Sequence, residues 1–472
     1  MRLVAIGGSD AGISAALRAR ELDPTADVTV VLADAYPNFS ICGIPYYVSG
    51  DVADWRNLAH RTVADLQATG MTLRLDTVAR AIDPDRHRAL VANAAGEESV
   101  EYDALIIGTG ALPVTPPIAG LDRLGPDDGV HLLHSMADTF ALIRTLEQKH
   151  VQRAVIVGAG YVGLEMAEAL VARGLAVTQL EQLPEVLPTV DPELGGLVRT
   201  ELERHGVNVW CETRVDAIAP APEGSAGRLE VSASGPNGQS LRYPADVVLV
   251  SVGVRPDDEL AASAGIELGL RRAIVVDRQM RTNLPDVFAA GDCVITHHRL
   301  LGTTYLPLGT TAHKQGRVAG ENALGGSREF AGSLGTQVVK VFNLIAARTG
   351  LRDHEAAAAG FDPLTVTSTA DDHKAYYPGS HLITMRYTGD RRAGHLLGVQ
   401  LVGHLGSEIA KRIDIPATAI FNQMTVDALS DLDLSYTPPL GSPWDALQTG
   451  AQAWTRSAQR SRRDAASALD RS

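Results

Sequence analysis

Cys42 is the residue of this sequence whose type and position best suit redox chemistry. It lies in the stretch NFSICGIPYY, residues 38–47, shortly after an apolar run that is typical of a β-strand. A thiol in such a place is either a small buried hydrophobic group or a redox-active nucleophile. Taken alone, the burial habit of reduced cysteines favours the structural interpretation. Three other stretches of the chain reverse that preference.

The first motif, GGSDAG at residues 7–12, follows an apolar strand pattern at residues 3–6. An Ala- and Leu-rich helical pattern covers residues 13–22, and a second strand pattern at residues 28–33 ends in Asp34. Glycines at such a turn let the backbone approach a pyrophosphate, whose charge the helix N-terminus favours, and the acid holds an adenosine ribose. Serine replaces the middle glycine of the motif, so an ordinary strand-turn-helix is the alternative.

The second motif, GAGYVG at residues 158–163, contains all three glycines. It stands between a strand pattern at residues 154–157 and a helical pattern, and the following strand ends in Glu181. This context predicts a second dinucleotide site. Glu181 would accept hydrogen bonds from a ribose 2′-hydroxyl and repel a 2′-phosphate, and its neighbour Gln182 supplies no cation. The motif therefore predicts binding of NADH in preference to NADPH.

Three further strand patterns end in glycine turns. In open parallel sheets, ligands bind at the carboxyl ends of the strands, so these turns are candidate binding segments. In the third of these turns Asp292 follows Gly291, and its carboxylate can also act as the N-cap of the next helix. The turns contain Thr109 and Gly110, Gly253, and Gly291 and Asp292.

Composition restricts the possible partners and compartment. The chain has 472 residues, and its net charge of −14 argues against a nucleic-acid or anionic-membrane partner. No apolar run approaches the ~20 residues of a membrane span, and the N-terminus runs directly into a strand pattern without a basic leader. The spacing of Cys42, Cys211 and Cys293 is not that of a disulfide framework. A cytoplasmic protein without a nucleic-acid or membrane partner is expected.

These motifs together resemble the single-cysteine branch of the flavoprotein pyridine nucleotide-disulfide oxidoreductases. The closest resemblance is to the coenzyme A-disulfide reductases, with NADH oxidases and NADH peroxidases as neighbours. The most specific segments are FSICGIPY at residues 39–46, TAHKQGR at residues 311–317 and LSYTPP at residues 434–439. The two-cysteine reductases of this superfamily carry a second cysteine where this chain has Tyr47. The resemblance therefore implies a mechanism with one active thiol.

The resemblance implies an α/β fold with two Rossmann-like dinucleotide-binding domains, for FAD and NAD, and a C-terminal α+β dimerisation domain. The FAD-binding domain is expected to be discontinuous, formed by residues 1–112 and 245–325. The NAD(H)-binding domain is expected at residues 113–244. Residues 330–450 are expected to pair two subunits in a homodimer with shared active sites, and residues 451–472 to form a flexible tail.

The resemblance further implies that electrons pass from NADH through FAD to Cys42 and then to a disulfide or persulfide. The attacking group is a thiolate, so the site must lower a thiol pKa that is ordinarily near ~8.5. Tyr436 matches a tyrosine that faces the cysteine of the other subunit, and His313 matches a substrate-side histidine. Both are candidates to protonate the leaving thiolate. Tyr376 and Tyr377 match a second family tyrosine, while packing in a dimer core is the alternative for each tyrosine.

Three departures from the family patterns bear on the choice of substrate. Oxidases and peroxidases of the family place a histidine beside the flavin where this chain has Asp10. This favours a disulfide or persulfide reductase over an NADH oxidase or peroxidase working through a cysteine sulfenic acid. A non-catalytic redox-sensing flavoprotein is the third hypothesis. Coenzyme A enzymes carry asparagine before the cysteine and a basic residue on the first helix, where this chain has Ile41 and Glu21, so the thiol part of the substrate stays open.

The candidate catalytic residues are therefore Cys42, Tyr436, His313, Tyr376 and Tyr377. No metal-ligand set is assigned. The candidate cofactor-binding residues are Gly7, Gly8, Ala11, Gly12, Asp34, Thr109, Gly110, Gly158, Gly160, Gly163, Glu165, Glu181, Gly253, Gly291 and Asp292.

Overall fold

A computed structural model describes residues 1–469, with the side chains at 462 and 465–469 left out of the description. The helices are, in chain order, α1 (Asp10–Leu22), α2 (Ile44–Ser49), α3 (Val63–Ala68), α4 (Met136–Leu146), α5 (Tyr161–Ala172), α6 (Pro192–Arg204), α7 (Glu259–Ser263), α8 (Gly309–Ala323), α9 (Asp353–Ala358), α10 (Ile409–Arg412), α11 (Asp414–Phe421), α12 (Val426–Ser430) and α13 (Ala446–Leu469).

The strands are, in chain order, β1 (Arg2–Ile6), β2 (Asp27–Val31), β3 (Thr72–Arg74), β4 (Val78–Asp83), β5 (Arg88–Asn93), β6 (Gly96–Glu101), β7 (Ala104–Ile107), β8 (Ala111–Pro113), β9 (Val130–Leu132), β10 (Arg153–Val157), β11 (Ala176–Leu180), β12 (Asn208–Trp210), β13 (Arg214–Pro220), β14 (Leu229–Ser234), β15 (Ser240–Ala245), β16 (Val247–Val250), β17 (Val254–Pro256), β18 (Val287–Ala289), β19 (Thr296–His298), β20 (Gly302–Thr304), β21 (Gln337–Val341), β22 (Leu344–Gly350), β23 (Pro363–Asp371), β24 (Leu382–Asp390) and β25 (Leu396–His404).

The chain forms two compact units. No helix in the described part of the chain is both long enough and apolar enough to span a membrane. Unit 1 consists of Met1–Pro116, His131–Glu147 and Val252–Ser333, and unit 2 consists of Pro117–Val130, Gln148–Ser251 and Leu334–Ser472.

Unit 1 is built on a parallel five-stranded sheet with the strand order β18-β7-β1-β2-β3. Strands β1 and β7 are almost wholly buried, as expected of parallel strands covered on both faces. Ile6 is in register with both Val31 and Ile107, which aligns the carboxyl ends of three strands. The turns that follow β1, β7 and β18 therefore lie at one edge of the sheet. Strands β4, β5 and β6 form a separate antiparallel sheet.

Unit 2 contains a second parallel arrangement and a C-terminal antiparallel sheet. The order of the first sheet is β12-β11-β10-β16-β9, and strands β13, β14 and β15 form a small antiparallel sheet. The C-terminal sheet has the order β21-β22-β25-β24-β23 and is followed by helices α10 to α13. This architecture confirms the predicted fold class, with two Rossmann-like sheets and a C-terminal α+β part.

Two predicted domain boundaries are wrong. Residues 245–251 were expected in the FAD-binding domain, but β16 pairs in parallel with β10 and so belongs to the second sheet. Residues 131–147 were expected in the NAD(H)-binding domain, but they cluster with unit 1, although β9 at the start of this segment pairs with β16 of the second sheet. An apolar strand pattern shows that a strand is buried, and only the pairing shows in which sheet it lies.

The expected flexible tail at residues 451–472 is also wrong over the part that the structure describes. Helix α13 runs from Ala446 to Leu469, and Ala451, Trp454 and Ala458 on it are buried. The indole Nε1 of Trp454 donates to the carbonyl oxygen of Leu364 at 2.7 Å, which attaches the helix to β23. The prediction failed because the segment is basic and rich in Ser and Ala, and this overall composition does not reveal the few apolar residues that share one face of the helix. Residues 470–472 lie outside the described residues.

Helices α1 and α8 of unit 1 pack with their backbones in direct contact. A Cβ atom at Gly316 would overlap with the carbonyl group of Ala11, and one at Gly320 would overlap with that of Ala15. Two glycines one turn apart on α8 thus present a flat face to α1. This close approach brings the first turns of both helices together.

We expect Gly320→Ala to lower the melting temperature of the cofactor-free protein. The added methyl group forces α1 and α8 apart, and overpacking of this kind costs ~1–3 kcal/mol. Gly196→Ala is the matched control, because Gly196 also lies in a helix but its Cβ would come no closer than 3.5 Å to Glu185. That variant gains helix propensity of ~1 kcal/mol. Equal melting temperatures for the two variants, measured by scanning calorimetry, would contradict the proposed packing.

Candidate active site

Cys42 lies in a 3-10 turn, Ile41–Gly43, immediately before helix α2, and its side chain is exposed. The stretch before it is held by backbone hydrogen bonds from Ser40 to the carbonyl oxygen of Leu58 at 2.8 Å and from His60 to that of Asn38 at 2.9 Å. A Cβ atom at position 43 would lie 2.6 Å from a terminal methyl group of Leu58, so Gly43 packs closely against that side chain. The cysteine is therefore presented on a fixed backbone rather than on a loose loop.

Aromatic packing holds the same stretch from the other side. Phe39 stacks on Trp55 with ring centroids 5.6 Å apart, and Trp55 meets Phe140 of α4 edge-on at 5.2 Å. Tyr36 contacts all three rings. Aromatic pairs of this kind add to the stability gained from buried area alone. This cluster explains why residues 131–147 belong to unit 1.

The other two cysteines lie in different environments. Burial raises the pKa of Cys293 to about 11, and its sulfur lies 3.4 Å from the carbonyl oxygen of Ala290. Burial and the neighbouring carboxylate of Glu185 raise the pKa of Cys211 to about 11. Neither is readily ionised to the thiolate that attacks a disulfide. None of the three cysteines forms a disulfide in the described part of the chain.

The first glycine turn has the shape that a dinucleotide site needs. Gly7 has φ 119°, and a Cβ atom there would overlap with the carbonyl group of Gly108. A Cβ atom at Gly12 would overlap with Gly7, and one at Gly8 would lie 2.5 Å from Leu32. These contacts require glycine at three positions, although the serine that replaces the middle glycine is the N-cap of α1. The turn keeps its backbone geometry despite the imperfect motif.

Asp34 lies three residues beyond the end of β2, because the strand stops at Val31 rather than continuing to residue 33 as the sequence pattern predicted. Its Oδ1 accepts a hydrogen bond from the backbone N–H of Tyr36 at 2.9 Å, and burial raises its pKa above the ordinary value. The carboxylate retains acceptor capacity for a ribose hydroxyl. Asn38 was not predicted as a site residue, yet it is buried with φ 57° and its Oδ1 has no hydrogen-bond partner within the described residues. Asparagine tolerates this left-handed conformation better than most residues. An asparagine in the stretch before Cys42 is therefore the signal by which the sequence could have indicated this position.

Gly291 and Asp292 follow β18 at the same sheet edge. Gly291 has φ 92°, and a Cβ atom there would lie 2.8 Å from the side chain of Ala11. Burial, and to a smaller extent the charge of Asp10, raise the pKa of Asp292 to about 6. The Oδ1 atom of Asp292 is buried and has no hydrogen-bond partner among residues 1–469. Such an atom needs a donor, and the hydroxyl groups of a flavin side chain are donors of the required kind.

Thr109 and Gly110 follow β7 at this edge, and Gly253 lies between β16 and β17. The Thr109 hydroxyl donates to the carbonyl oxygen of Asp257 at 2.7 Å, and Gly110 has φ 77° with open space where a Cβ would be. Gly253 has φ 110°, and its carbonyl oxygen accepts from the N–H of Val114 at 2.9 Å. The glycine turns and the orphaned carboxylate oxygen together fit a bound flavin nucleotide.

The second glycine turn lies in unit 2 between β10 and α5. Gly158 has φ 101°, a Cβ atom at Gly163 would overlap with its carbonyl group, and Gly160 faces open space. Glu181 is buried, and its carboxylate accepts hydrogen bonds from the backbone N–H of Ala159 at 2.7 Å and of Leu183 at 2.9 Å. The acid is thus fixed against the glycine turn. Its remaining lone pairs can accept from a ribose hydroxyl and would repel a phosphate.

Glu165 and His313 lie on helices. Glu165 is on α5, one turn after the start of that helix. His313 is on α8, where its Nδ1 lies 2.8 Å from the hydroxyl of Ser14 and its Nε2 lies 3.4 Å from a carboxylate oxygen of Asp10. Ser14 was missed by the sequence analysis, because nothing in a single sequence shows which helices pack together.

The three candidate tyrosines lie in unit 2. Tyr376 and Tyr436 are hydrogen-bonded through their side chains, and partial desolvation together with this contact raises the pKa of Tyr436. The backbone N–H of Lys374 donates to the carbonyl oxygen of Pro438 at 3.3 Å, which joins the two tyrosine-bearing segments. Tyr376 is 74% exposed, and Tyr436 and Tyr377 are each 44% exposed. The structure thus brings Tyr376 and Tyr436 together.

The fold and the two glycine turns define the class of protein: an α/β oxidoreductase with two dinucleotide-binding sheets. Comparison with known families agrees. Residues 1–316 match the pyridine nucleotide-disulphide oxidoreductase model, and residues 336–446 match the dimerisation domain of the same family. The chain belongs to the pyridine nucleotide-disulphide oxidoreductase family, as the motifs predicted. It is an NAD(P)H-dependent flavoprotein oxidoreductase.

Similar proteins cover almost the whole chain. The NAD(P)H sulfur oxidoreductase (CoA-dependent) of Pyrococcus abyssi is 35% identical over 94% of this chain and 96% of its own length. An NADH oxidase of Methanocaldococcus jannaschii is 31% identical over 96% of this chain and 98% of its own length. Among solved structures, the NAD-dependent persulfide reductase from A. fulgidus is 38% identical with a TM-score of 0.90, covering 98% of this chain and 84% of that one.

We expect the wild-type protein to have a higher kcat/KM with NADH than with NADPH. The variant Glu181→Ala should lower the ratio of these two constants by about tenfold, which corresponds to ~1.4 kcal/mol. The carboxylate accepts from the ribose hydroxyl of NADH and repels the phosphate of NADPH. Gln182→Ala is the control, because the neighbouring exposed side chain is uncharged. Flavin reduction by each nucleotide, followed in a stopped-flow instrument, gives both constants. An unchanged ratio in Glu181→Ala would show that another residue discriminates between the nucleotides.

Proposed function

We propose that this protein reduces a persulfide or disulfide of a small thiol with electrons from NADH, using FAD and the single redox-active thiol of Cys42. The observation that carries the proposal is the contrast among the three cysteines. Cys42 is exposed on a fixed backbone in the same unit as the first glycine turn. Cys211 and Cys293 have pKa values raised to about 11. Relatives named for sulfur and persulfide reduction support the choice of substrate.

Each step of the proposed reaction is assigned to particular residues of this chain. When bound, FAD accepts a hydride from NADH and supplies the electron pair that reduces sulfur. The first glycine turn, Asp34 and Asp292 hold the flavin nucleotide, and Glu181 orients the nicotinamide nucleotide. The Cys42 thiolate attacks one sulfur of the substrate, so that a Cys42–substrate disulfide forms and a thiolate leaves. A neighbouring acid, His313 or Tyr436, protonates that thiolate.

An NADH oxidase or peroxidase is the second candidate function, and the relative from M. jannaschii favours it. In that reaction Cys42 would cycle through a sulfenic acid. Asp10 in the first glycine turn, in place of the histidine of the oxidases, favours sulfur as the acceptor. A redox-sensing role without turnover is the third candidate. Mass spectrometry of Cys42 in the purified protein distinguishes the reactions, since a thiol adduct or persulfide supports the first and a sulfenic acid the second.

Charges near α1 bear on whether coenzyme A is the thiol. Arg18 contacts Glu321 at 2.6 Å and Glu21 at 3.0 Å, and Glu21 also contacts Arg317 at 3.2 Å. Arg328 also contacts Glu321 at 3.4 Å, so the cluster contains three cations and two anions, and its single excess positive charge offers only weak attraction to a polyphosphate. The proposal therefore includes low-molecular-weight persulfides and disulfides in general. A cytoplasmic location is proposed with it, because three reduced thiols suit a reducing compartment.

A homodimer is proposed from the dimerisation domain and from the apolar surface around the tyrosines. Leu440, four residues after Tyr436, is 71% exposed in the single chain, and Trp444, eight residues after it, is 57% exposed. Side chains of this size gain ~1.5–3 kcal/mol each when they are buried. We propose that Tyr436 of one subunit serves Cys42 of the other, with Tyr376 as its hydrogen-bond partner.

We expect Cys42→Ser to retain the flavin absorbance spectrum and flavin reduction by NADH, but to lose turnover with a persulfide or disulfide. The serine hydroxyl does not form the mixed disulfide. Cys211→Ser is the matched control and should keep full turnover, because burial and the carboxylate of Glu185 raise the pKa of this thiol to about 11 and so disfavour its thiolate. In the resting enzyme Cys42 is proposed to be oxidised, as a mixed disulfide, a persulfide or a sulfenic acid. In a dithionite titration, the wild type should therefore take up two electrons beyond the flavin, which reduce this group to the thiolate, and Cys42→Ser should not. Turnover of Cys42→Ser within tenfold of wild type would refute the mechanism.

We expect Tyr436→Phe to slow disulfide or persulfide reduction by about 10²-fold if its hydroxyl is the proton donor, with flavin reduction by NADH unchanged. Mixed dimers of Cys42→Ser and Tyr436→Phe subunits test the shared site. One of the two sites would then carry both defects and the other neither, so partial recovery of activity is expected. No recovery, despite proven subunit exchange, would place Tyr436 in its own chain's site or outside any site.

A further inference from the structure

Residues 182–191, the support loop, lie between β11 and α6 and pack on the second glycine turn. The backbone N–H of Leu187 donates to the carbonyl oxygen of Ala159 at 2.8 Å. Two residues later, the hydroxyl of Thr189 donates to the hydroxyl oxygen of Tyr161 at 3.4 Å. Ala159 and Tyr161 both belong to the motif GAGYVG. The support loop therefore contacts the candidate pyrophosphate-binding turn at two points.

The backbone of the support loop is strained at Leu187. This residue has φ 51° and is fully buried. Bulky residues rarely adopt this left-handed conformation, and it persists only where the surrounding structure holds it. The hydrogen bond to Ala159 holds the chain at Leu187 itself. Contacts to the residues that follow must hold the rest of the loop.

Two arginines hold the middle of the support loop. Nη1 of Arg352 donates to the carbonyl oxygen of Pro188 at 2.8 Å and to that of Val190 at 3.2 Å. Nη1 of Arg348 donates to the carbonyl oxygen of Thr189 at 2.7 Å. Three consecutive carbonyl oxygens thus accept from two guanidinium groups, whose side chains are only 11% and 16% exposed. A guanidinium group suits this task because its five N–H donors lie in one rigid plane.

Glu355 on α9 fixes the direction of both arginines. Its carboxylate contacts Nη2 of Arg348 at 2.7 Å and Nη2 of Arg352 at 2.8 Å. Burial opposes the ionisation of Glu355, but hydrogen bonds and charge contacts with the two arginines outweigh it and lower the pKa of Glu355 to about 2. The same carboxylate accepts from the backbone N–H of Arg352 at 2.8 Å, at the N-terminus of α9. One ionised carboxylate thus holds both guanidinium groups in place.

The end of the support loop is attached to the same C-terminal sheet. The backbone N–H of Asp191 donates to Oε1 of Gln400 at 2.6 Å. Its carboxylate accepts from Nε2 of Gln400 at 2.8 Å and from Nε of Arg386 at 2.7 Å. Arg348, Arg386 and Gln400 lie on β22, β24 and β25, so three strands of this sheet each contribute a side chain to the loop. These strands lie in the part of the chain that matches the dimerisation domain.

We propose that Arg348, Arg352 and Glu355 are positioning residues for the nicotinamide nucleotide. They hold the support loop against the second glycine turn, and through Ala159 and Tyr161 they keep that turn in the shape that accepts the pyrophosphate. The C-terminal sheet thus has a task within its own chain besides the proposed dimerisation. The proposal rests on the NADH site of the proposed function and is independent of the sulfur acceptor.

The main test compares Glu355→Gln with wild type in the binding of ADP-ribose, measured by isothermal titration calorimetry. ADP-ribose carries both phosphates and the adenosine ribose of NADH but cannot reduce the flavin. Glutamine keeps the size of the side chain and can still cap α9, but an uncharged amide does not hold two guanidinium groups. We expect about tenfold weaker binding, because the arginines lose their fixed direction. The variant also removes a negative charge, so a purely electrostatic effect would tighten the binding of this anion. Unchanged or tighter binding would overturn the proposal.

Asp362→Asn is the matched control. Asp362 contacts Arg391 at 3.0 Å in the same unit and makes no hydrogen bond to the support loop within the described residues. This variant therefore removes the same charge from another carboxylate–arginine pair. It should leave the binding of ADP-ribose unchanged. Equal weakening in Asp362→Asn and Glu355→Gln would overturn the proposal, because the effect would then not depend on the support loop.

Arg352→Lys is a second variant, which decides the question if Glu355→Gln does not fold. Lysine keeps the charge but lacks the planar donors that reach two carbonyl oxygens and a carboxylate together. In a stopped-flow instrument, the NADH concentration that half-saturates flavin reduction should rise about fivefold, while the limiting rate should change far less. A lower melting temperature with unchanged NADH saturation would show a purely structural role and would contradict the proposal.

The calorimetric readout also separates this inference from the sulfur chemistry. If the wild type reduced no sulfur substrate, the proposed function would fail, while the binding of ADP-ribose to wild type and Glu355→Gln would still judge the support loop. If the wild type bound no ADP-ribose, the positioning role would be refuted together with the nucleotide site that it serves.

Discussion

Backbone-to-backbone contact without side chains is the constraint on which unit 1 depends. Gly12 lies so close to Gly7, and Gly7 to Gly108, that a Cβ atom on either would overlap with a neighbouring carbonyl group. The same condition recurs between α1 and α8 at Gly316. Each of these glycines loses more conformational entropy on folding than another residue would. Their small size allows the N-terminus of α1 to lie close to the edge of the sheet. The shape of the first glycine turn, the position of Asp10 and the contact between His313 and Ser14 all follow from this packing.

The carboxylates at this edge show how the fold prepares a site before any ligand is bound. Asp292 is buried with an unsatisfied oxygen, and Asp10 adds a second negative charge nearby. In isolation both raise the energy of the folded chain, because a buried charge without a donor is unfavourable. A ligand with hydroxyl groups removes part of that penalty on binding. Glu181 in unit 2 is different, since backbone N–H groups already satisfy it and fix its direction.

The placement of the cysteines follows the same division between structure and chemistry. Cys293 lies within the core of unit 1, where burial keeps its thiol protonated, and Cys211 lies beside a carboxylate that opposes ionisation. Cys42 alone is exposed, on a turn that Leu58 and an aromatic cluster hold in place. A redox thiol must be accessible to its substrate. It must also be held in one position, because its reaction needs a defined geometry toward both the electron donor and the substrate. A rigid turn at the protein surface meets both conditions.

The sequence alone determined the local geometry: strand, glycine turn and helix, with an acid at the next strand end, because these depend on residues that are close in the chain. It also identified the family, and it singled out Cys42 as the candidate redox thiol. Only the tertiary structure decided which sheet β16 joins, that α13 packs rather than frays, and that Ser14 and His313 share a hydrogen bond across 299 residues. Such contacts depend on packing between distant segments. A single sequence records the apolar faces of these segments but not their partners.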